Sequence, residues 1–203
     1  MFYKTDHHWT IEAGFWACGI IENEIESRFN IDFETGYNDL TKYRKQIYEN
    51  AMFGSAGQAI THFIEDSEDF NMYFPLFETN FKLIIPDKGI DDEGTFEELF
   101  VDYTTLENAI NDGGGYAYET ILYGNRPLVQ IKNLNNEVGP KVLVIRDSSA
   151  IAIAPYLALG CSELDLIVRN DNGGFNGSIW TYIDQTNPDI VIMLVNTPRT
   201  YYK

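Results

Sequence analysis

Two stretches of this 203-residue chain bring together side chains able to do acid–base or nucleophilic chemistry. The first is Asp6-His7-His8-Trp9, which holds two of the chain's three histidines. A general base needs an imidazole with a pKa near neutrality, held in one tautomer by an acceptor. Asp6 and His8 are two residues apart. In an extended segment both side chains would share a face, leaving the carboxylate able to orient the imidazole. A surface turn or half of a metal site would use the same residues. His62 has no ligand spacing to the pair, so no metal is assigned.

The second stretch is Arg146-Asp147-Ser148-Ser149, between the apolar run Val142-Leu143-Val144-Ile145 and a small, apolar segment. Ligands gather at the carboxyl ends of strands in open parallel sheets. A serine at a strand-to-helix junction presents its hydroxyl beside backbone N–H groups that can hold an oxyanion. Asp and Ser are also ordinary helix caps, and this reading competes on local grounds. Together, the two stretches supply a nucleophile (Ser148), a base (His8) and an orienting acid (Asp6), the set that acyl transfer needs. Ser149 is a rival nucleophile.

These residues need a framework. Thr10 is placed to cap a helix over 11–28, with Ile11, Phe15, Trp16, Ile20, Ile21 and Ile25 inward and Glu22, Glu24 and Glu26 on the wet side. A short strand is expected over 2–5. Residues 30–135 alternate in short runs broken by turns such as Pro86-Asp87-Lys88-Gly89 and 111–115, the pattern of a strand-rich, mostly antiparallel insertion. The last third alternates strand (142–145), helix (149–159), strand (164–168), helix (178–185) and strand (190–195), implying parallel strands with right-handed crossovers.

Composition excludes several classes. The net charge is −17, from 14 Lys+Arg against 31 Asp+Glu, and no basic cluster exists to replace counterions on phosphates, so nucleic acid is not an expected partner. Cys18 and Cys161 lack metal spacing and are too few for a disulfide framework. No apolar run reaches the roughly 18 residues of a membrane span, and the start has no signal-peptide pattern. The chain opens directly into the polar–aromatic cluster. We therefore expect it to be the C-terminal part of a longer protein.

Tyr3-Lys4-Thr5-Asp6-His7-His8-Trp9-Thr10 resembles the signature of the DHHW family, which is related to alginate O-acetyltransferases within the SGNH-hydrolase-like superfamily. Further matches follow in family order: Phe53 to Gly57, Tyr123 to Val129, Val144 to Ser148, and Asn176 to Ile179. The resemblance implies one SGNH-hydrolase-like (flavodoxin-like) domain over 1–203. Its fold would be α/β, a parallel sheet with helices on both faces and the strand-rich segment 30–135 inserted. It implies Asp6 and His8 as acid and base and Ser148 as a nucleophile that becomes acetylated, with no cofactor. The substrate would be an exported polysaccharide or oligosaccharide outside the cytoplasm, with an acetyl donor supplied by a membrane protein. Ser149 departs from the aromatic residue expected after the nucleophile.

Other candidates carry two readings each. Gly124 and Asn125 offer oxyanion donors or form a plain turn. Arg169 clamps substrate or the acyl oxygen, or else caps a helix or pairs with Asp171. Ser55, with Gly54, lines the pocket or forms a loop. Trp9 stacks on a sugar ring or belongs to the core.

Overall fold

The computed structural model describes residues 1–31, 33, 37–55, 57, 67–111, 116–168 and 174–195. Among them, helix α1 (Ile11–Phe29) begins at the Thr10 cap, whose hydroxyl accepts from the Ala13 N–H. It ends where Asn30 turns left-handed at φ 53° and its N–H returns to the Glu26 carbonyl. Ile11, Phe15, Cys18, Glu22 and Ile25 are buried, a stripe of alternating four- and three-residue steps. Trp16 and Ile20 lie off that stripe and are 60% and 49% exposed. Glu22, expected on the wet side, is only 4% exposed. Helical geometry sets it one turn beyond Cys18, and buried polar partners accept it.

Strands β1 (Tyr43–Met52) and β2 (Glu68–Pro75) form an antiparallel ladder of their own. Beside it lies a six-stranded sheet of order β4-β3-β5-β7-β6-β8. Its members are β3 (Phe81–Ile85), β4 (Ile90–Gly94), β5 (Leu128–Asn133), β6 (Lys141–Arg146), β7 (Glu163–Val168) and β8 (Ile190–Leu194). Only β7, β6 and β8 run parallel; β5, β3 and β4 join antiparallel. The sheet is therefore mixed, not the wholly parallel one expected. The parallel trio leaves the outer edge of β7 open, and strands from the 30–135 stretch pair along it, which removes an unsatisfied edge. The same stretch also carries helices α2 (Phe96–Phe100) and α3 (Tyr103–Asn111).

Residues 2–5 do not form a strand: Phe2 and Trp9 make a single bridge, and the chain between them turns. The helix expected over 149–159 is split into a 3-10 turn (Ser148–Ala152) and helix α4 (Ala154–Gly160), with Pro155 in its first turn. Proline lacks the N–H that a continuous helix would use, but fits a helix start. The glycine-rich turn expected at 111–115 falls almost wholly outside the described residues.

Val142 to Ile145 in β6 are all buried. Full burial of each such side chain contributes roughly 1.5–3 kcal/mol, so the strand that delivers Ser148 is anchored firmly. From β6 the chain crosses to β7, and then through helix α5 (Ile179–Thr186) to β8 on the opposite side of β6. The order reverses at β6. Its carboxyl end thus opens at a topological switch point, where crevices form in open sheets. Phe15, Tyr43, Phe96 and Tyr156 pack around one another where α1, β1, α2 and α4 meet.

Candidate active site

The segment 1–10 doubles back on itself. The Tyr3 N–H donates to the His8 carbonyl at 3.1 Å and the Thr10 N–H to the Met1 carbonyl at 2.9 Å, leaving residues 4–7 as the tip. Glu68, at the start of β2, grips that tip: its carboxylate accepts from the Lys4 and Thr5 N–H groups and the Thr5 hydroxyl at 2.9–3.0 Å.

Asp6 is buried inside the turn. One carboxylate oxygen accepts the His8 N–H at 2.9 Å and a short bond from His8 Nδ1. The other accepts the Ser55 N–H at 2.8 Å and its hydroxyl at 3.0 Å. Burial opposes the charge, but the bonds from the His8 side chain and backbone and from Ser55 outweigh it. The carboxyl is held well below the usual carboxylate range. Gly54 makes this closeness possible, since a Cβ there would lie 2.1 Å from the Asp6 Cβ. The Asp6–His8 pairing thus comes from a turn, not from the extended segment expected.

His8 is buried, and its Nε2 lies 2.7 Å from the Ser148 hydroxyl. The Tyr118 ring stacks on the imidazole at 4.2 Å, and its hydroxyl donates to the Ser148 carbonyl at 3.0 Å. One tyrosine therefore sets the spacing of imidazole and serine. Tyr116 places its hydroxyl 2.8 Å from His8 Nδ1 and donates to Asp6 at 3.4 Å. Neither tyrosine was marked by the sequence; both follow a glycine-rich stretch with no periodic signal.

Ser148 opens the 3-10 turn. The cap is Asp147, whose carboxylate accepts the Ser149 N–H at 2.9 Å. The capping and hydroxyl-presenting readings of this junction therefore fall on different residues, and the Ser148 hydroxyl meets His8. Ser149 offers its carbonyl to the Trp9 indole N–H at 2.6 Å. Trp9, His7, Phe2, Ser149, Met193, Leu194 and Val195 line a cavity of about 380 Å³ at the ends of β6 and β8.

Ser55 is exposed but spends its donors on Asp6, with His7 Nδ1 3.3 Å from its hydroxyl. Gly124 has φ +84°, after Leu122 at +49° and Tyr123 at +60°. The Asn125 amide oxygen accepts from Arg146 Nη1 at 2.5 Å. Arg146, named in the sequence only as the start of the Ser148 stretch and given no role, is fully buried beneath this turn. Arg169 and His62 lie outside the described residues. Donor atoms of Asp6, His7 and His8 lie within 4.8 Å of one another, the one described cluster of metal-ligand type. Both His8 nitrogens and the nearer Asp6 oxygen are already bonded, so a cation would have to displace those bonds.

Among solved structures the chain matches PatB1 of Bacillus cereus at 22% identity and TM-score 0.69, over 97% of this chain and 62% of that one. It also matches PatB1 with a sulfonyl adduct, at 21% identity and TM-score 0.68, over 97% and 60%. A third match is a DHHW family protein from Eubacterium siraeum DSM 15702, at 19% identity and TM-score 0.67, over 96% and 58%. The chain has the fold of these proteins. It spans about 60% of the length of the structures it matches. No family model matches its sequence, and no curated protein does.

Proposed function

We propose that this chain is an acyl-transfer enzyme, a carbohydrate O-acetyltransferase that works through Ser148, His8 and Asp6. The observation that carries the reading is the continuous relay from Asp6 through the buried His8 to the Ser148 hydroxyl, with Nε2 at 2.7 Å from Oγ. His8 Nε2 takes the hydroxyl proton as Ser148 Oγ attacks the acetyl carbonyl, and Asp6 stabilises the imidazolium that results. The tetrahedral oxyanion is met by the Ser148 N–H and the Asn125 amide. Collapse returns the proton to the departing oxygen and leaves acetyl-Ser148. A sugar hydroxyl, deprotonated by His8, then attacks the ester; the Oγ–acyl bond of Ser148 breaks, His8 returns the proton to Oγ, and the acetyl group passes to the sugar. The sulfonyl adduct carried by a PatB1 structure of the same fold supports an activated nucleophile in this architecture. Phe2 and Trp9 give the neighbouring cavity an apolar wall suited to a pyranose face. In this reading, which the family resemblance supports, the activity lies outside the cytoplasm and the acetyl donor is delivered by a membrane partner.

An acetylesterase would use the same residues with water as acceptor. Turnover of p-nitrophenyl acetate with and without xylo- or chito-oligosaccharides separates the two: acetylated oligosaccharide is expected by mass spectrometry, and acetate alone would leave hydrolysis. If Ser148→Ala still binds oligosaccharide and the folded wild type turns over no ester, the chain is a binding module.

A further inference from the structure

Arg146 ends β6 two residues before Ser148, and its side chain is completely buried. Its Nη1 donates to the Asn125 amide oxygen at 2.5 Å and to the Asp147 carbonyl at 3.4 Å; its Nη2 donates to the Arg126 carbonyl at 3.1 Å. Its Nε is buried without a partner. Among the described residues no carboxylate lies within ion-pair distance of the guanidinium; Asp147, one of whose oxygens accepts the Ser149 N–H, acts on it through space. An unpaired buried charge is expensive, and an apolar side chain of similar size would serve packing better. What a buried guanidinium offers that an apolar side chain cannot is its charge and its fork of donors.

The fork does something specific. A guanidinium only donates, so the Asn125 amide must turn its oxygen inward and its NH2 outward. Among the described residues that NH2 has no partner. The same fork holds the Arg126 carbonyl, at the exit of a turn in which Leu122 and Tyr123 stand in the left-handed region at φ +49° and +60°. Single residues there cost on the order of 1–2 kcal/mol and persist only when neighbours hold them. One side chain thus ties the 122–126 turn to the backbone that delivers Ser148.

We propose that Arg146 is a positioning residue for the oxyanion site, fixing the Asn125 NH2 toward the acyl carbonyl on Ser148 and lending that amide its positive charge. This rests on the acyl-transfer reading above. In the resting site no described carboxylate touches the guanidinium and Asp147 acts on it only through space, so the negative charge that develops on the carbonyl oxygen adds an attraction made only in the transition state. That is stabilisation where it accelerates the reaction.

The test is p-nitrophenyl acetate kinetics on wild type, Asn125→Asp, Asn125→Ala, Arg146→Lys and the Asn125→Ala/Arg146→Lys double variant, each with a thermal melt. Asn125→Asp gives the guanidinium a carboxylate and removes the NH2 donor. It should raise Tm while kcat falls about 100-fold or more at similar KM, the scale of a lost oxyanion donor. Arg146→Lys should cost 10-fold or more in kcat alone, but under 3-fold once Asn125 is alanine. Full additivity in the double variant, or unchanged kcat in a folded Asn125→Asp, would overturn the proposal. Wild-type turnover that survives Ser148→Ala would remove the acyl-transfer reading itself, and this inference with it.

Discussion

Glu22 makes a quantitative test of how the helix beneath the site is built. Its carboxylate is buried against Cys18, whose thiol donates at 3.5 Å, and accepts a short bond from the Asn38 amide. Burial, reinforced by the Glu26 charge and only partly offset by the bonds from Asn38 and Cys18, lifts its pKa from 4.5 to about 7. The unfolded chain releases the proton near the ordinary glutamate value, the folded one near 7. Across that window the folded state binds more protons, so stability falls as pH rises. One pKa unit is worth about 1.4 kcal/mol, and the lift therefore costs about 3 kcal/mol once both states are ionised. Glu22→Gln removes the charge and keeps one acceptor. It should be near neutral in stability at pH 4.5 and stabilising by about 1–3 kcal/mol at pH 8.5, at roughly 2–4 °C in Tm per kcal/mol. Urea melts of both proteins across pH 4.5–8.5 read the difference directly. A stability difference that does not change with pH would refute the buried-carboxyl argument. A variant that grows less stable as pH rises would reverse its sign.

Further outcomes follow from the site. Gly54→Ala forces a methyl group into Asp6, 2.1 Å from its Cβ; ester turnover should fall at least 100-fold with the circular-dichroism spectrum kept. Tyr118→Phe removes the donor to the Ser148 carbonyl but keeps the ring on His8; about 1 kcal/mol of stability should go, with kcat lowered and KM held. Asp6→Asn loses the acceptor that sets the His8 tautomer, and kcat should drop on the order of 10³-fold or more. In wild type, Asp6 stays ionised well below the usual carboxylate range. Its support for the fold is present above the unfolded pKa of about 4 and is lost only as pH falls through the depressed folded value, so an acid melt of Asp6→Asn should lack that late step.

The parallel core was legible because buried strands write themselves as continuous apolar runs: 142–145 became Lys141–Arg146 and 164–168 became Glu163–Val168. The Thr10 cap was equally plain, since an N-terminal cap is a local event. Glu22 was misread because charge usually marks the wet face, and only the three-dimensional neighbourhood of Cys18 and Asn38 reveals a buried carboxyl. The antiparallel half of the sheet was legible as strands, but its docking on β7 depends on pairing between distant segments. In the site, Asp6, His8 and Ser148 were named from residue type, position and the family resemblance, and the structure brings the three side chains within hydrogen-bond distance. Tyr116, Tyr118 and Glu68 were not, because their role lies in contacts made across 30 or more residues of chain. Arg146 was hidden by its position at a strand end, where a solvated arginine would look the same.

In the proposed mechanism His8 activates the hydroxyl of Ser148, not that of Ser149. Reaction with phenylmethanesulfonyl fluoride, followed by intact mass and peptide mapping, tests it most directly. One sulfonyl group per chain on Ser148 is expected in wild type, with labelling at least 100-fold slower in folded His8→Ala. Labelling at Ser149, or equal labelling of wild type and His8→Ala, would contradict the relay from Asp6 through His8 to Ser148.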